Sequence, residues 1–259
     1  DSDEFARAIN QVVVAAGRDE LLPVFTGVRL EIDDDVISLL ATDRYRMALK
    51  ELSWTPASSS TEGAALVPAR VLSEAARSMS SGEQITLALS NAEAGEGLIG
   101  LEGSGSGGVR QLTTRLLGGE FPKVRHLMDI HPTLTVRCKT DEIIASVKRV
   151  SLVAERNSPL RMLIGDEQIA LEAASGDQAQ ASEAVPAQVE NVAGGELALT
   201  AAGFNPHYLA DALNTIDSPY VHFSFTAAGK PCLVRGLDEI DGDPKGDYRH
   251  VIMLMRLPN

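Results

Sequence analysis

The 259-residue chain is short of several things, and each shortage excludes a class of protein. It has two cysteines, Cys138 and Cys232, with no CxxC and no histidine at metal-ligand spacing. A zinc site and a disulfide scaffold are therefore not expected, and two lone thiols suit a reducing cytoplasm. No run of 18 apolar residues exists, so no membrane-spanning helix is expected. The first residues, DSDEFARAINQVVV, are acidic and lack the basic start of a signal peptide. Basic charge is in deficit, with 23 Lys and Arg against 36 Asp and Glu and a net charge of −13. Such a body cannot coat nucleic acid through bulk electrostatics, although a local basic face remains open to it. Apolar residues make up 44% of the chain and charged residues 23%, which is ordinary for a globular protein of one large domain or two average ones.

What is present is a repeat. Phe5, Ile9, Val12, Val13 and Ala16 mark one face of a helix. Ile143, Val147, Val150 and Ala154 restate the pattern 138 residues later, and Arg18 and Arg156 share that offset. A second helix candidate, VPARVLSEAARSM, begins at Pro68, and NPHYLADALNTI begins at Pro206, again 138 apart. Proline suits a first helical turn, where its missing N–H is not needed. Between these segments lie alternating stretches bounded by turn residues: VRLEI, VISLL, QITLALS, GLIGLEG, VRQLTTRL, QIALEAA, ELALT, VHFSFTA and CLVRG. The reading is α+β: two copies of one domain, 1–130 and 131–259. Each copy has two helices laid on antiparallel sheet of six to eight strands.

Motifs for chemistry are weak. GSGSGGV at 103–109 is followed by an alternating stretch rather than the helix a phosphate loop requires, so it reads as a hairpin tip. DEIDGDPKGD at 238–247 lacks calcium-loop spacing and reads as a solvated loop between the last two strands. No two of the five histidines stand three or four apart, and no GxSxG elbow occurs. ATDRYRMAL at 41–49 sets an Asp, two Arg and a Tyr into an apolar run. By composition it is a hairpin with Thr42 and Asp43 in the turn and Arg44 and Arg46 on the wet face.

The stretch LLPVFTGVRLEIDDDVISLLATDRYRMAL resembles the middle domain of the bacterial sliding clamp, the DNA polymerase III beta subunit. VPARVL, LLGGEFPKVRHLM, SPLRMLIGDEQIALEAAS, GFNPHYLADAL and VIMLMRLPN resemble further segments of that family, in family order over essentially the whole chain. The resemblance implies a DNA-clamp fold with the family's first domain absent from this chain. It also departs from the family: Leu254 replaces a usual Pro, Pro231 a common Ser and His126 a common Arg, and Pro258–Asn259 extends the usual end.

By that resemblance the protein is a processivity factor: a homodimeric ring around duplex DNA, with no catalytic site, metal or cofactor of its own. Retention by topology needs only loose phosphate contacts. Arg7, Arg18, Arg70, Arg77, Lys148 and Arg149 are the expected DNA-facing cations. DNA polymerase III alpha subunit, the clamp loader, other polymerases and repair proteins would dock QLxLF-like peptides in a cleft at the domain junction. The cleft residues carried over are Phe25, Thr42, Arg44, Tyr45, Arg46, Met47, Pro122, His126, Leu127, Gly229, Pro231, Val251, Ile252, Met253, Leu254, Met255 and Arg256. Tyr45, Arg46 and Met47 would form an amphipathic rim, and Met47, Met253 and Met255 an adaptable lining. Without the first domain the chain is expected to be monomeric. The competing readings are an α+β enzyme with a dispersed site and a repair scaffold on the same fold.

Overall fold

The computed structural model describes residues 1–58, 62–90 and 97–257. They form two compact units, Asp1–Lys123 and Val124–Asn259, so the division falls a few residues before the expected boundary at 130. A short 3-10 turn, Arg125–Met128, opens the second unit and packs on that unit's last strand, which draws the intervening segment into it. Pro258 and Asn259 lie outside the described residues.

The first unit runs α1 (Ser2–Val13), β1 (Gly27–Asp33), β2 (Val36–Thr42), β3 (Arg46–Ser53), β4 (Glu62–Pro68), α2 (Ala69–Ser78), β5 (Thr86–Leu89), β6 (Leu98–Gly105) and β7 (Gly108–Arg115). Two antiparallel sheets result, one ordered β3-β2-β1-β4 and the other β5-β6-β7. Asp1 caps α1 by accepting from the Glu4 N–H at 2.9 Å. The apolar stripe of α1, Ala8, Ile9 and Val12, is fully enclosed with Leu72 and Ala75 of α2. The GSGSGGV segment is a hairpin tip as expected, with Gly105 opposite Gly108 across a two-residue turn.

The second unit runs β8 (Leu134–Lys139), α3 (Thr140–Val150), β9 (Leu160–Ile164), β10 (Gln168–Ser175), β11 (Ala179–Pro186), β12 (Gln188–Asn191), β13 (Ala201–Phe204), α4 (Pro206–Asn214), β14 (Tyr220–Phe225), β15 (Cys232–Leu237) and β16 (Tyr248–Ile252). Its sheets are ordered β12-β8-β14-β15-β16 and β11-β10-β9-β13. Among the described residues, two helices per unit and seven strands in the first agree with the reading of the repeat, while the second unit has nine strands.

The offset holds at the helices. α1 begins at Ser2 and α3 at Thr140, and Pro68 directly precedes α2 as Pro206 opens α4. The expected strand ELALT does not form. Gly194 and Gly195, at φ of 71° and 73°, turn the chain just before it, and pairing starts only at Ala201. β11 went unpredicted because alternating AQASEAVP supplies few apolar residues. Phe204, Phe223 and Phe225, with centroids 6.2–6.4 Å apart, fill the second core. Each contributes about 1.5–3 kcal/mol of transfer free energy.

Candidate functional site

The ATDRYRMAL segment is a hairpin whose turn is Asp43–Arg44–Tyr45. Thr42 is the last residue of β2, paired with Met47. Asp43 braces the loop: its Oδ1 accepts from the N–H groups of Tyr45 (3.0 Å) and Arg46 (3.1 Å), and its Oδ2 accepts from Arg46 Nε at 3.1 Å. Thr42 Oγ1 donates to the Arg46 carbonyl at 2.8 Å and accepts from the Arg44 N–H at 3.1 Å. With its short range satisfied in this way, the loop can hold Arg44 at φ 80°, a conformation costly for a side-chain-bearing residue. The result aims the Arg44 guanidinium at the Phe25 ring, 5.5 Å from its centroid, and at Tyr45, at 6.0 Å. Phe25 is fixed by its own backbone, accepting from Gly17 N–H at 2.6 Å and donating to the Leu22 carbonyl at 3.0 Å.

Exposure corrects the expected rim. Arg44 and Tyr45 are exposed, Tyr45 at 55%. Met47 is enclosed at 1% and Thr42 at 4%. The Arg46 side chain is 11% exposed and ion-paired with Asp43, so it does not stand on a wet face. Strand alternation sets this: β3 turns Met47 inward one residue after the loop ends. Pro122 is half-buried.

The second unit holds the remaining candidates. Val251 and Ile252 are fully enclosed in β16, so they support the strand and offer no surface. Met253, Leu254 and Met255 are half-buried and Arg256 is exposed. This tail is anchored by an isolated antiparallel bridge between Gly203 and Met255, whose N–H donates to the Gly203 carbonyl at 2.8 Å. A Cβ at Gly203 would lie 2.7 Å from the Met255 carbonyl oxygen and 2.8 Å from Leu257. Only glycine admits the tail so closely. Sequence reading missed Gly203, although its place in the GFNPHYLADAL motif was a usable signal. His126 and Leu127 sit in the 3-10 turn beside β16, His126 exposed. Gly229, at φ 72°, and Pro231 shape the β14–β15 turn.

The expected DNA-facing cations differ in surroundings. Arg7, Arg18 and Arg70 are exposed. Arg77 is ion-paired with Glu74 at 3.1 Å. Lys148 and Arg149 are neighbours in sequence but not in role. Lys148 lines a cavity of about 950 Å³ between α3 and α4, together with Arg156, Asn157, Asn205 and His207. Arg149 turns instead to β11 and donates through Nε and Nη2 to Glu183, both at 2.7 Å. Those hydrogen bonds hold the Arg149 pKa above and the Glu183 pKa below their ordinary ranges. Arg149 is thus committed to a carboxylate and is a poor candidate for phosphate contact. Arg156 was overlooked as a site residue, though its repeat mate Arg18 had been singled out.

Among the described residues no group of His, Cys, Asp and Glu could hold a metal ion. Both cysteines are free and buried, and burial pushes the Cys138 thiol up to about 12, so it is not a nucleophile. No described helix is long and apolar enough to cross a membrane.

The architecture is that of the DNA clamps. The DNA polymerase III beta chain of Streptococcus pneumoniae superposes with a TM-score of 0.83 at 24% identity, over 99% of this chain and 63% of that one. Sequence then fixes the family: residues 1–123 match the central domain of the DNA polymerase III beta subunit and residues 130–256 its C-terminal domain, and the chain belongs to that family. The beta sliding clamp of Streptomyces coelicolor is 45% identical over 98% of this chain and 65% of its own length. That of Micrococcus luteus is 42% identical over 73% of this chain and 59% of its own length. The chain therefore spans less than two thirds of these relatives.

Proposed function

We propose that this chain is the partner-recruiting part of a DNA polymerase III sliding clamp. It acts in the cytoplasm, at the nucleoid, and has no catalytic site or cofactor. With the family's first domain, two subunits would close into a ring on duplex DNA. Without it, the two-domain chain would remain a monomer, which light scattering checks. Lys148, Arg7, Arg18 and Arg70 would give loose phosphate contacts. Arg77 and Arg149, already paired, would contribute less.

Partner peptides of QLxLF type, from DNA polymerase III alpha subunit, the clamp loader, other polymerases and repair proteins, would be recognised by Phe25, Arg44 and Tyr45 of the first unit. From the second unit, His126, Leu127, Pro231 and the tail Met253–Arg256 would take part. Each within its own unit, Met47 would support the first group from behind, and Val251 and Ile252 the second. The observation that carries this reading is the Asp43-braced loop, which fixes exposed Arg44 and Tyr45 around Phe25 in a segment that matches the family. Burying one Leu and one Phe anchor gives roughly 3–6 kcal/mol of transfer free energy before ordering costs, so micromolar affinity, about 8 kcal/mol, also needs the peptide's main-chain and polar contacts. The test is fluorescence anisotropy of a labelled QLxLF peptide titrated with the chain and with a Met253→Ala, Met255→Ala double variant. Saturable micromolar binding that the variant loses is expected. Absence of binding by the intact chain overturns the reading.

A further inference from the structure

The β12-β8-β14-β15-β16 sheet carries a row of cations that the proposed function does not use. Gln188 on β12 stands opposite Arg137 on β8, Arg137 opposite His222 on β14, and His222 opposite Arg235 on β15. β15 pairs Val234 with His250 of β16, so the next step sets Arg235 beside Arg249. By strand alternation the row lies on the face opposite Phe223 and Val234. Like charges side by side on a sheet repel. Here the crowding is felt: burial first, then Arg249 and Arg137, lower the Arg235 pKa. His222, 3% exposed between two guanidinium groups, is kept neutral by burial, Arg235 and Arg137, its pKa falling to about 4.

The usual remedy is a carboxylate, yet among the described residues neither Arg137 nor Arg235 has one in ion-pair contact. Arg137 donates to two backbone carbonyls, Ile240 at 2.9 Å and Gly242 at 2.8 Å. The acidic 238–247 loop reaches over Arg137 with those carbonyls, and two of its carboxylates are engaged away from Arg137 and Arg235. Asp241 accepts from Gln188 at 3.1 Å and Asp238 pairs with Lys245 at 2.9 Å. Arg235 Nε is enclosed with no protein acceptor, while the side chain as a whole keeps partial exposure. Nε itself is closed to solvent, so a partner from outside the chain would meet the Nη groups of this partly exposed guanidinium. The row's chemistry selects that partner. Guanidinium forks match phosphate oxygens. Strands about 4.8 Å apart space Arg137, Arg235 and Arg249 for more than one phosphate.

We infer that the Arg137–Arg235–Arg249 row binds a polyphosphate oxyanion between the strands and the 238–247 loop. Inorganic pyrophosphate and a nucleoside triphosphate share that chemistry.

The test is calorimetric titration of the full chain with pyrophosphate and, separately, with a nucleoside triphosphate. Sodium chloride of matched ionic strength is the control. Saturable binding is expected, weakened about tenfold or more in Arg235→Met, as loss of a charged hydrogen bond predicts, with the thermal melt retained. Equal affinity for both ligands assigns the site to the free phosphate chain, and tighter triphosphate binding adds contacts to the nucleoside. Should Arg235→Met fail to fold, Arg235→Lys decides: it keeps the charge, loses the fork and must still bind more weakly. No saturable binding, an effect reproduced by chloride, or unchanged affinity in the folded Arg235 variant overturns the site. In those cases water alone satisfies Arg235.

Discussion

α1 and α3 occupy equivalent places in the repeat and spend them differently. Ile9 and Val12 of α1 and Val147 and Val150 of α3 are all fully buried or nearly so, 138 positions apart. Where α1 has Asn10 and Gln11, however, α3 has Lys148 and Arg149. Gln11 is buried, whereas Lys148 faces a cavity and Arg149 pairs with Glu183. The apolar stripe is held to one periodicity because it must pack on a sheet. The polar positions answer only to local neighbours, so the two copies diverge there. Symmetry of fold therefore does not imply symmetry of charge, and each cation has to be judged by what it touches.

The comparison breaks most severely in the cores. Phe223→Ala in the second unit and Ile9→Ala in the first should each cost about 3–5 and 2–5 kcal/mol, respectively, because both side chains are fully enclosed. Urea denaturation reads both, and a cost below 1 kcal/mol at either would mean that the side chain is not part of its unit's core.

A slightly smaller effect separates the units by pH. His222 has a folded pKa of about 4 against an ordinary 6.5. Between those values the unfolded chain binds the proton and the folded chain does not, so stability rises with pH across that window. It is fully present above pH 6.5 and is lost as pH falls toward 4. The shift corresponds to about 3 kcal/mol. His222→Gln should flatten the loss, and an unchanged pH profile in the variant would refute the assignment.

Next, Gly203→Ala should cost roughly 1–3 kcal/mol through the close approach of Met255. It should also weaken QLxLF peptide binding more than it perturbs the far-UV spectrum. Equal peptide affinity would show that the tail needs no such anchor.

The smallest effect sharpens the comparison within α3. Lys148→Ala should reduce the salt slope of duplex DNA binding by about one. Arg149→Ala should leave it nearly unchanged, since Arg149 is held by Glu183. Equal slopes for the two variants would mean that the ion pair yields to DNA.

Much of this was legible in the chain. Helix stripes, the prolines before α2 and α4, the hairpin at Gly105–Gly108 and the two-copy plan follow from periodicity and backbone restriction, which are local properties. The candidate site was legible as a set of residues only through family resemblance, and exposure then sorted the set. Met47, Val251 and Ile252 belong to the interior and Tyr45 to the surface. The Arg137–Arg235 row was invisible as a site, because it depends on residues brought from distant strands, whereas Gly203 and Arg156 carried a motif and a repeat signal whose meaning only the packing supplied. ELALT failed as a strand although its composition was right, since two glycines at positive φ turn the chain before it.

The sequence by itself determined the repeat, the class of fold and the family, because apolar spacing and turn chemistry act over a few residues and are written out in order. Only tertiary structure decided which cations are free, which methionines are buried and which glycine must stay a glycine. Those depend on strand register, which sets neighbours such as His222 and Arg235 side by side from positions that nothing local connects.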